Sequence, residues 1–232
     1  MSWKLIRVRS VGGRRKVLAI VLSALALVGL AGWLGFGSGL FSVDRVEIRG
    51  ATFTDTDKVS RAAAVPDGVS LLSVDTDDVA ERVAKLPEVE VVTVSRDWPH
   101  TIVVDITERS ADLAVPVDGG FILVDRSGVA FRTVDEAPDD TFRVALDDPG
   151  RHDPATVAVL TVLSSLTSHL QDLLVEVDAQ APTRITLILS DERTIFWGDA
   201  SRSDRKAEVA TALLGMSEQH FDVSAPDVPT VS

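Results

Sequence analysis

From Val17 to Phe41 no residue carries a charge, and Val17–Phe36 is apolar apart from one serine and three glycines. A helix over that run, at ~1.5 Å per residue, is about 30 Å long, which is the hydrocarbon thickness of a bilayer. The pattern therefore predicts one transmembrane helix over residues 17–38, with Val17, Leu18, Ile20, Leu25, Leu30, Trp33 and Phe36 as span residues. A cleaved secretory signal is the competing reading, and Gly29-Leu-Ala31 has the small residues of a cleavage site. Such a signal has an apolar region of only roughly 7–15 residues. Here bulky apolar residues continue through Trp33, Leu34, Phe36, Leu40 and Phe41, as an uncleaved anchor requires.

Beyond the span the period changes. Val43–Arg49 alternates apolar and polar residues, the period-2 mark of a half-buried strand, and Gly50 stops it. Thr54 with Asp57 has the spacing of a capping box and opens a helix over Asp55–Ala64. Asp75 caps a second, Thr76–Leu86, which buries Val79, Val83 and Leu86 and stops at Pro87. Strands follow at Val89–Arg96 and at Thr101–Glu108, where Ile102, Val104 and Ile106 share a face; between them Asp97–His100 makes a turn. Strand, helix, helix, strand, strand is a complete α+β domain, here over residues 41–110.

Residues 111–232 read as a second, mixed β domain with two helices. Its strands are Ala111–Val115, Gly120–Asp125, Val129–Thr133, Phe142–Leu146, Leu173–Val177, Arg184–Leu189 and Thr194–Trp197. Asp153-Pro154 caps a helix over Ala155–Leu170 that stacks Val157, Leu160, Leu163 and Leu166. Ser201 with Asp204 opens another, running to about Ser217. The last twelve residues form short strands broken by Pro226 and Pro229; proline donates no ladder bond, so such a strand belongs at an edge.

Charge gives the chain a direction. Lys4, Arg7, Arg9, Arg14, Arg15 and Lys16 lie in the first 16 residues with no acid, whereas all 35 acidic residues lie beyond the span. Basic residues beside a span stay on the cytoplasmic side, so the tail 1–16 is placed inside and the body outside. An acidic exterior repels nucleic acid. With no cysteine, no disulfide, thiol nucleophile or cysteine metal site can form.

Catalysis needs an activated nucleophile, paired carboxylates or a metal. His100, His152, His169 and His220 have no ligand-spaced partners. Asp75, Asp77 and Asp78 lack the glycine and distal glutamate of a calcium loop and read as a helix cap. Ser164-Ser165 sits in a helix without the strand–elbow context of an acyl-transfer serine. Asp97 and Glu108 flank a hairpin and read as ion-pair partners for Arg96 and Arg109. No catalytic, metal or cofactor constellation results.

Four motifs in order and spacing carry a family resemblance. They are Phe41-Ser-Val-Asp-Arg-Val-Glu-Ile-Arg-Gly50, then Val94-Ser-Arg-Asp-Trp-Pro99 with Ile102–Arg109, then Leu123-Val-Asp-Arg-Ser-Gly-Val-Ala-Phe131, and last Phe196-Trp-Gly198 with Lys206 eight residues beyond Gly198. Together with the single span they resemble the bacterial cell division family FtsQ/DivIB. The resemblance implies a POTRA domain over 41–110, an FtsQ-type β domain over 111–232, and a non-enzymatic scaffold at the division septum of the plasma membrane. It implies FtsB- and FtsL-type partners at the carboxy-terminal β region, onto which Asp222, Val223, Ser224, Pro229, Thr230 and Val231 fall, with Gly198 and Lys206 in the motif beside it. Arg96, Trp98 and Pro99 match the POTRA turn, which would meet other members of the division machinery. Some members carry bulky aromatics in the last strand, and none occurs here after Phe221. Two other classes compete. A membrane-anchored hydrolase would need a polar pocket of Asp and His residues. A polypeptide-handling POTRA module would need a transmembrane β-barrel, and repeated lipid-facing strands are absent.

Overall fold

The computed structural model describes residues 11–36 and 41–232, so Lys4, Arg7, Arg9, Gly37 and Gly39 lie outside the described residues. Helix α1 covers Val11–Phe36, starting six residues before the predicted span and taking in Arg14, Arg15 and Lys16. Val17, Leu18, Ile20, Leu25, Leu30 and Trp33 are all exposed, and Phe36 is its last residue. An apolar helix whose residues 16–33 are all exposed suits a membrane anchor.

The chain beyond it divides into two compact units, one of residues up to 86 together with 91–107, the other of 87–90 and 108–232. In the first, β1 (Arg45–Arg49), α2 (Thr56–Ala63), α3 (Thr76–Val83), β2 (Val89–Asp97) and β3 (Thr101–Glu108) follow in the predicted order. The sheet runs β1-β3-β2, and β1 pairs in parallel with β3, Val46 beside Ile102 and Ile48 beside Val104. Helix α2 packs on α3 and on β1. Val59, Ala63, Val79, Val83, Ile102 and Val104 are buried, each worth on the order of 1–3 kcal/mol for the larger side chains. The cap of α2 is Asp55, whose carboxylate accepts from Asp57 N at 2.8 Å; Thr54, predicted as the cap, is buried instead. Asp75 caps α3 as expected, accepting from Asp77 N and Asp78 N.

In the second unit nine strands form one mixed sheet. They are β4 (Leu113–Val117), β5 (Gly120–Val124), β6 (Ala130–Val134), β7 (Phe142–Ala145), β8 (Leu174–Ala181), β9 (Arg184–Leu189), β10 (Thr194–Gly198), β11 (His220–Asp222) and β12 (Thr230–Val231), and their order across the sheet is β12-β11-β10-β9-β8-β7-β4-β5-β6. Helices α4 (Pro154–Ser165), α5 (Ser168–Leu173) and α6 (Ser203–Leu213) cover one face, over Val144, Val177, Ile185, Leu187, Ile195 and Trp197. The expected alternation of β9 is observed, with Ile185, Leu187 and Leu189 buried.

Three local expectations are corrected. The single helix predicted over Ala155–Leu170 is two, because Leu166 is extended and Thr167 caps a new helix at Leu170 N, so the domain has three helices rather than two. The buried face of α4 is Ala155, Ala158, Val159, Val162 and Leu163, not the stripe through Val157, which is exposed. The cap of α6 is Arg202 in the left-handed region, with no side-chain bond from Ser201. Ser201 bonds Asp199 instead.

Candidate functional site

One edge of the nine-stranded sheet is β12. Ser232 and His220 exchange both backbone hydrogen bonds at 3.0 Å, and β12 pairs antiparallel with β11 as Val231 beside Phe221 and Thr230 beside Asp222. In an antiparallel ladder, residues that exchange bonds alternate with residues whose groups point away. Since Ser232 bonds inward, Val231 directs its N–H and C=O outward. Pro229 occupies the same outward phase, so its missing N–H costs no internal bond. Pro229, Thr230 and Val231 are exposed. An unpaired donor and acceptor on an exposed edge are the elements of strand addition.

Strand β11 is shifted from its predicted place, His220–Asp222 instead of Asp222–Ser224, because it is fixed by parallel pairing with β10, Thr194 beside His220 and Phe196 beside Asp222. Val223 donates to Phe196 O at 3.0 Å, and its side chain is fully buried in the core. Read from sequence as a partner contact, Val223 is therefore a packing residue. Asp222 is half-buried and its carboxylate caps Ser224 N at 2.9 Å, so this pair shapes the turn after β11.

Gly198 and Lys206 are likewise placed beneath the edge, not on it. Gly198 has φ of +76°, and a Cβ there would meet Ser224 Cβ at 2.9 Å, so only glycine lets the turn after β11 close on β10. Lys206, on α6, is wholly buried. Its ammonium donates to Trp197 O at 3.0 Å, Asp199 O at 2.8 Å and Asp199 Oδ1 at 2.9 Å, satisfying all three donors. Trp197 Nε1 donates to Ser203 Oγ at 3.1 Å in the same knot. Hydrogen bonds from Ser201 Oγ and then from Lys206 draw the Asp199 carboxyl down to about 2. Asp199 was not legible as Lys206's partner; the signal was its place directly after a strand-ending glycine that faces a lysine helix.

Of the turn residues, Arg96 is occupied internally: its guanidinium donates to Leu71 O at 2.9 Å and Val74 O at 2.6 Å, tying β2 to the segment between α2 and α3. The expected pair with Asp97 is replaced by these carbonyls. Arg109 bonds Pro87 O and Asp125. Trp98 meets Phe41 edge-to-face with ring centroids 5.3 Å apart, and is half exposed; Pro99 follows it in cis.

The groups weighed for catalysis have other partners. His100 Nδ1 lies 3.0 Å from Ser42 O and His220 Nδ1 lies 2.7 Å from Thr194 Oγ1. Ser164 Oγ and Ser165 Oγ bond the carbonyls of their own helix, Thr161 O and Val162 O. Among the described residues, no group of three His, Asp or Glu side chains could hold a metal ion.

Residues 41–109 match the POTRA domain, FtsQ-type, and residues 114–225 match the family Cell division protein FtsQ/DivIB, C-terminal. The chain is similar to the cell division protein FtsQ of Streptomyces venezuelae, 37% identical over 227 residues that cover 94% of this chain and 84% of that protein. It is 38% identical to FtsQ of Mycobacteroides abscessus over 221 residues, 95% of this chain and 71% of that one. With FtsQ of Streptomyces coelicolor it shares 34% over 235 residues, 94% and 89% of the two chains.

Proposed function

The chain belongs to the FtsQ/DivIB family of cell division proteins, and from that premise we propose that it is a single-pass scaffold of the division machinery. It takes FtsB- and FtsL-type partners outside the membrane and so helps control septum assembly and septal peptidoglycan synthesis. In this reading residues 1–16 are cytoplasmic, 17–38 cross the plasma membrane, and the POTRA domain (41–110) and β domain (111–232) stand outside at the septum. Support for the orientation is the charge asymmetry, with every acid beyond the span and six bases before it. The scaffold does no chemistry, a reading that family membership supports. Contacts of the POTRA domain with further division proteins rest on family membership as well.

The observation that carries the partner reading is the exposed β12 edge, where Val231 turns a backbone donor and acceptor outward. A partner strand laid against it would bond Val231 twice and extend the sheet. The test is binding of the full chain in detergent to an FtsB-type partner's extracytoplasmic segment, for the native protein and for Val231→Pro. Proline at 231 removes the outward donor and leaves the bonds of Ser232 in place. One hydrogen bond is worth about 1 kcal/mol net, so affinity should fall roughly five-fold with Tm unchanged. Equal binding by both proteins would remove the edge from the interface. Thr230→Pro is the poorer test, because Thr230 faces inward and its loss would unpair β12 from β11.

A further inference from the structure

Trp98 is a large apolar ring left half exposed at the tip of the β2–β3 turn. It meets Phe41 edge-to-face at 5.3 Å. Phe41 O accepts from Leu71 N at 2.6 Å, and the next residue, Leu72, is exposed as well. Phe41, Leu72 and Trp98 thus gather around the point where the chain enters the POTRA domain. Five Cα steps separate Phe41 from Phe36, the last residue of α1. At ~3.3–3.6 Å per step, Phe41 lies at most about 18 Å from the end of that helix. The polar layer of a bilayer adds about 5–8 Å beyond the hydrocarbon on each side. The tether therefore keeps this patch beside the membrane whatever the domain's tilt.

We infer that the Asp97–His100 turn seats in the lipid–water interface, with the Trp98 ring as the wedge and Phe41 and Leu72 beside it. Tryptophan favours that layer because its body is apolar and its indole N–H finds a partner among headgroups. The patch offers no basic cluster for anionic lipid. Arg96 is spent on Leu71 O and Val74 O, and Asp44 accepts from Ser42 Oγ and lies 3.7 Å from His100 Nδ1. The seat is thus apolar and indifferent to headgroup charge. Its effect would be to fix the tilt of the POTRA domain on its span, orienting everything carried farther out. The inference rests on α1 spanning the membrane and is independent of which partner the β12 edge takes.

Trp33, Trp98 and Trp197 give the test three built-in probes. Trp33 lies in α1, Trp98 at the turn, and Trp197 in the core. The full chain, labelled with fluorotryptophan and assigned by Trp→Phe variants, is placed in phosphatidylcholine nanodiscs. Some of the lipids carry a nitroxide either near the headgroup or near the chain end. Fluorine NMR should show Trp98 broadened several-fold more than Trp197 by the shallow label, and not by the deep one. Trp33 should be broadened in the same discs, and replacing part of the lipid with phosphatidylglycerol should leave Trp98 unchanged. Broadening at Trp33 with Trp98 as quiet as Trp197 overturns the inference and leaves the anchor standing. Silence at Trp33 overturns both. A quiet Trp98 that shifts when a partner's extracytoplasmic domain is added gives the turn to a protein and likewise removes the lipid seat.

Discussion

The two ends of the nine-stranded sheet are built in opposite ways. At one end β4, β5 and β6 form an antiparallel meander of five-residue strands, with a small second core of Ala114, Leu123 and Phe131. Its closing turn is organised by Asp125, buried, which accepts from Ser127 N, Ser127 Oγ and Val129 N at 2.8–2.9 Å and from Arg109 Nη1 at 2.5 Å. At the other end the strands shrink from five residues in β10 to three in β11 and two in β12, and β11 joins in parallel. The first end is held together by local turns, and its edge strand β6 is five residues long. The second keeps an outward donor and acceptor on Val231 and is shaped from below by Lys206. The two edges thus differ in build, a five-residue meander strand at β6 and a two-residue strand with an outward-turned Val231 at β12.

The largest break in that comparison should come from Asp125→Ala. Burial pushes the Asp125 carboxyl up, but the bonds from Val129 N, Ser127 Oγ, Arg109 and Ser127 N together hold it below the usual range, so it is an anion at neutral pH. Removing it strands the mostly buried Arg109 guanidinium and two backbone donors, at a cost of about 3–5 kcal/mol. Thermal unfolding of the full chain in detergent should show a Tm lower by many degrees. Binding at β12 below that Tm should survive, since no bond of Asp125 reaches the far end. Joint loss of binding with the fold intact would show that the ends are coupled after all.

Lys206→Met should act at the opposite end with a smaller stability cost. Methionine fills the tunnel of the lysine stem, but Trp197 O and Asp199 O lose their donor, about 1–3 kcal/mol. Loss of protection should concentrate where Lys206 holds the chain, so hydrogen exchange should speed up at Val223 N and Ser232 N before it does so in β4–β6. Uniform acceleration across the sheet would mean that the clamp is simply part of the global core.

What the sequence made legible follows the same divide. Period-2 alternation placed β3 and β9 on their observed bounds, because each is a strand with a buried face to pattern it. Helix α4 is apolar nearly all round, so a stripe through Val157 and Leu160 looked as good as the true one, and composition alone did not choose between them. The tail strands slid because β11 is registered by non-local pairing with β10, which leaves no periodic mark in three residues. Lys206 reads from sequence with the partner-binding motif; the carbonyls that bury it come from a segment seven to nine residues earlier. In the same way Arg96 looked like a contact residue until its carbonyl partners, more than twenty residues earlier in the chain, came into view. What failed to show in sequence was the pairing of single polar groups across the fold.

Acid should sharpen the contrast most gently. Asp199 is held at about 2 in the folded chain against an ordinary value of 3.8, so its protonated form is disfavoured by folding. The stability it contributes is complete above its unfolded value, near pH 4, and drains away as pH falls through 2. Half of the carboxylate faces solvent, so the effect is screened and should be modest. It is separable by difference. Asp199→Asn keeps the backbone carbonyl that Lys206 also uses while removing the titrating group. Between pH 4 and pH 2 the native protein should lose more stability than Asp199→Asn, and the excess should appear as faster exchange at Val223 N and Ser232 N. Identical acid curves for the two proteins would mean that the two backbone carbonyls alone hold Lys206, and that the charge on Asp199 contributes nothing to the open end of the sheet.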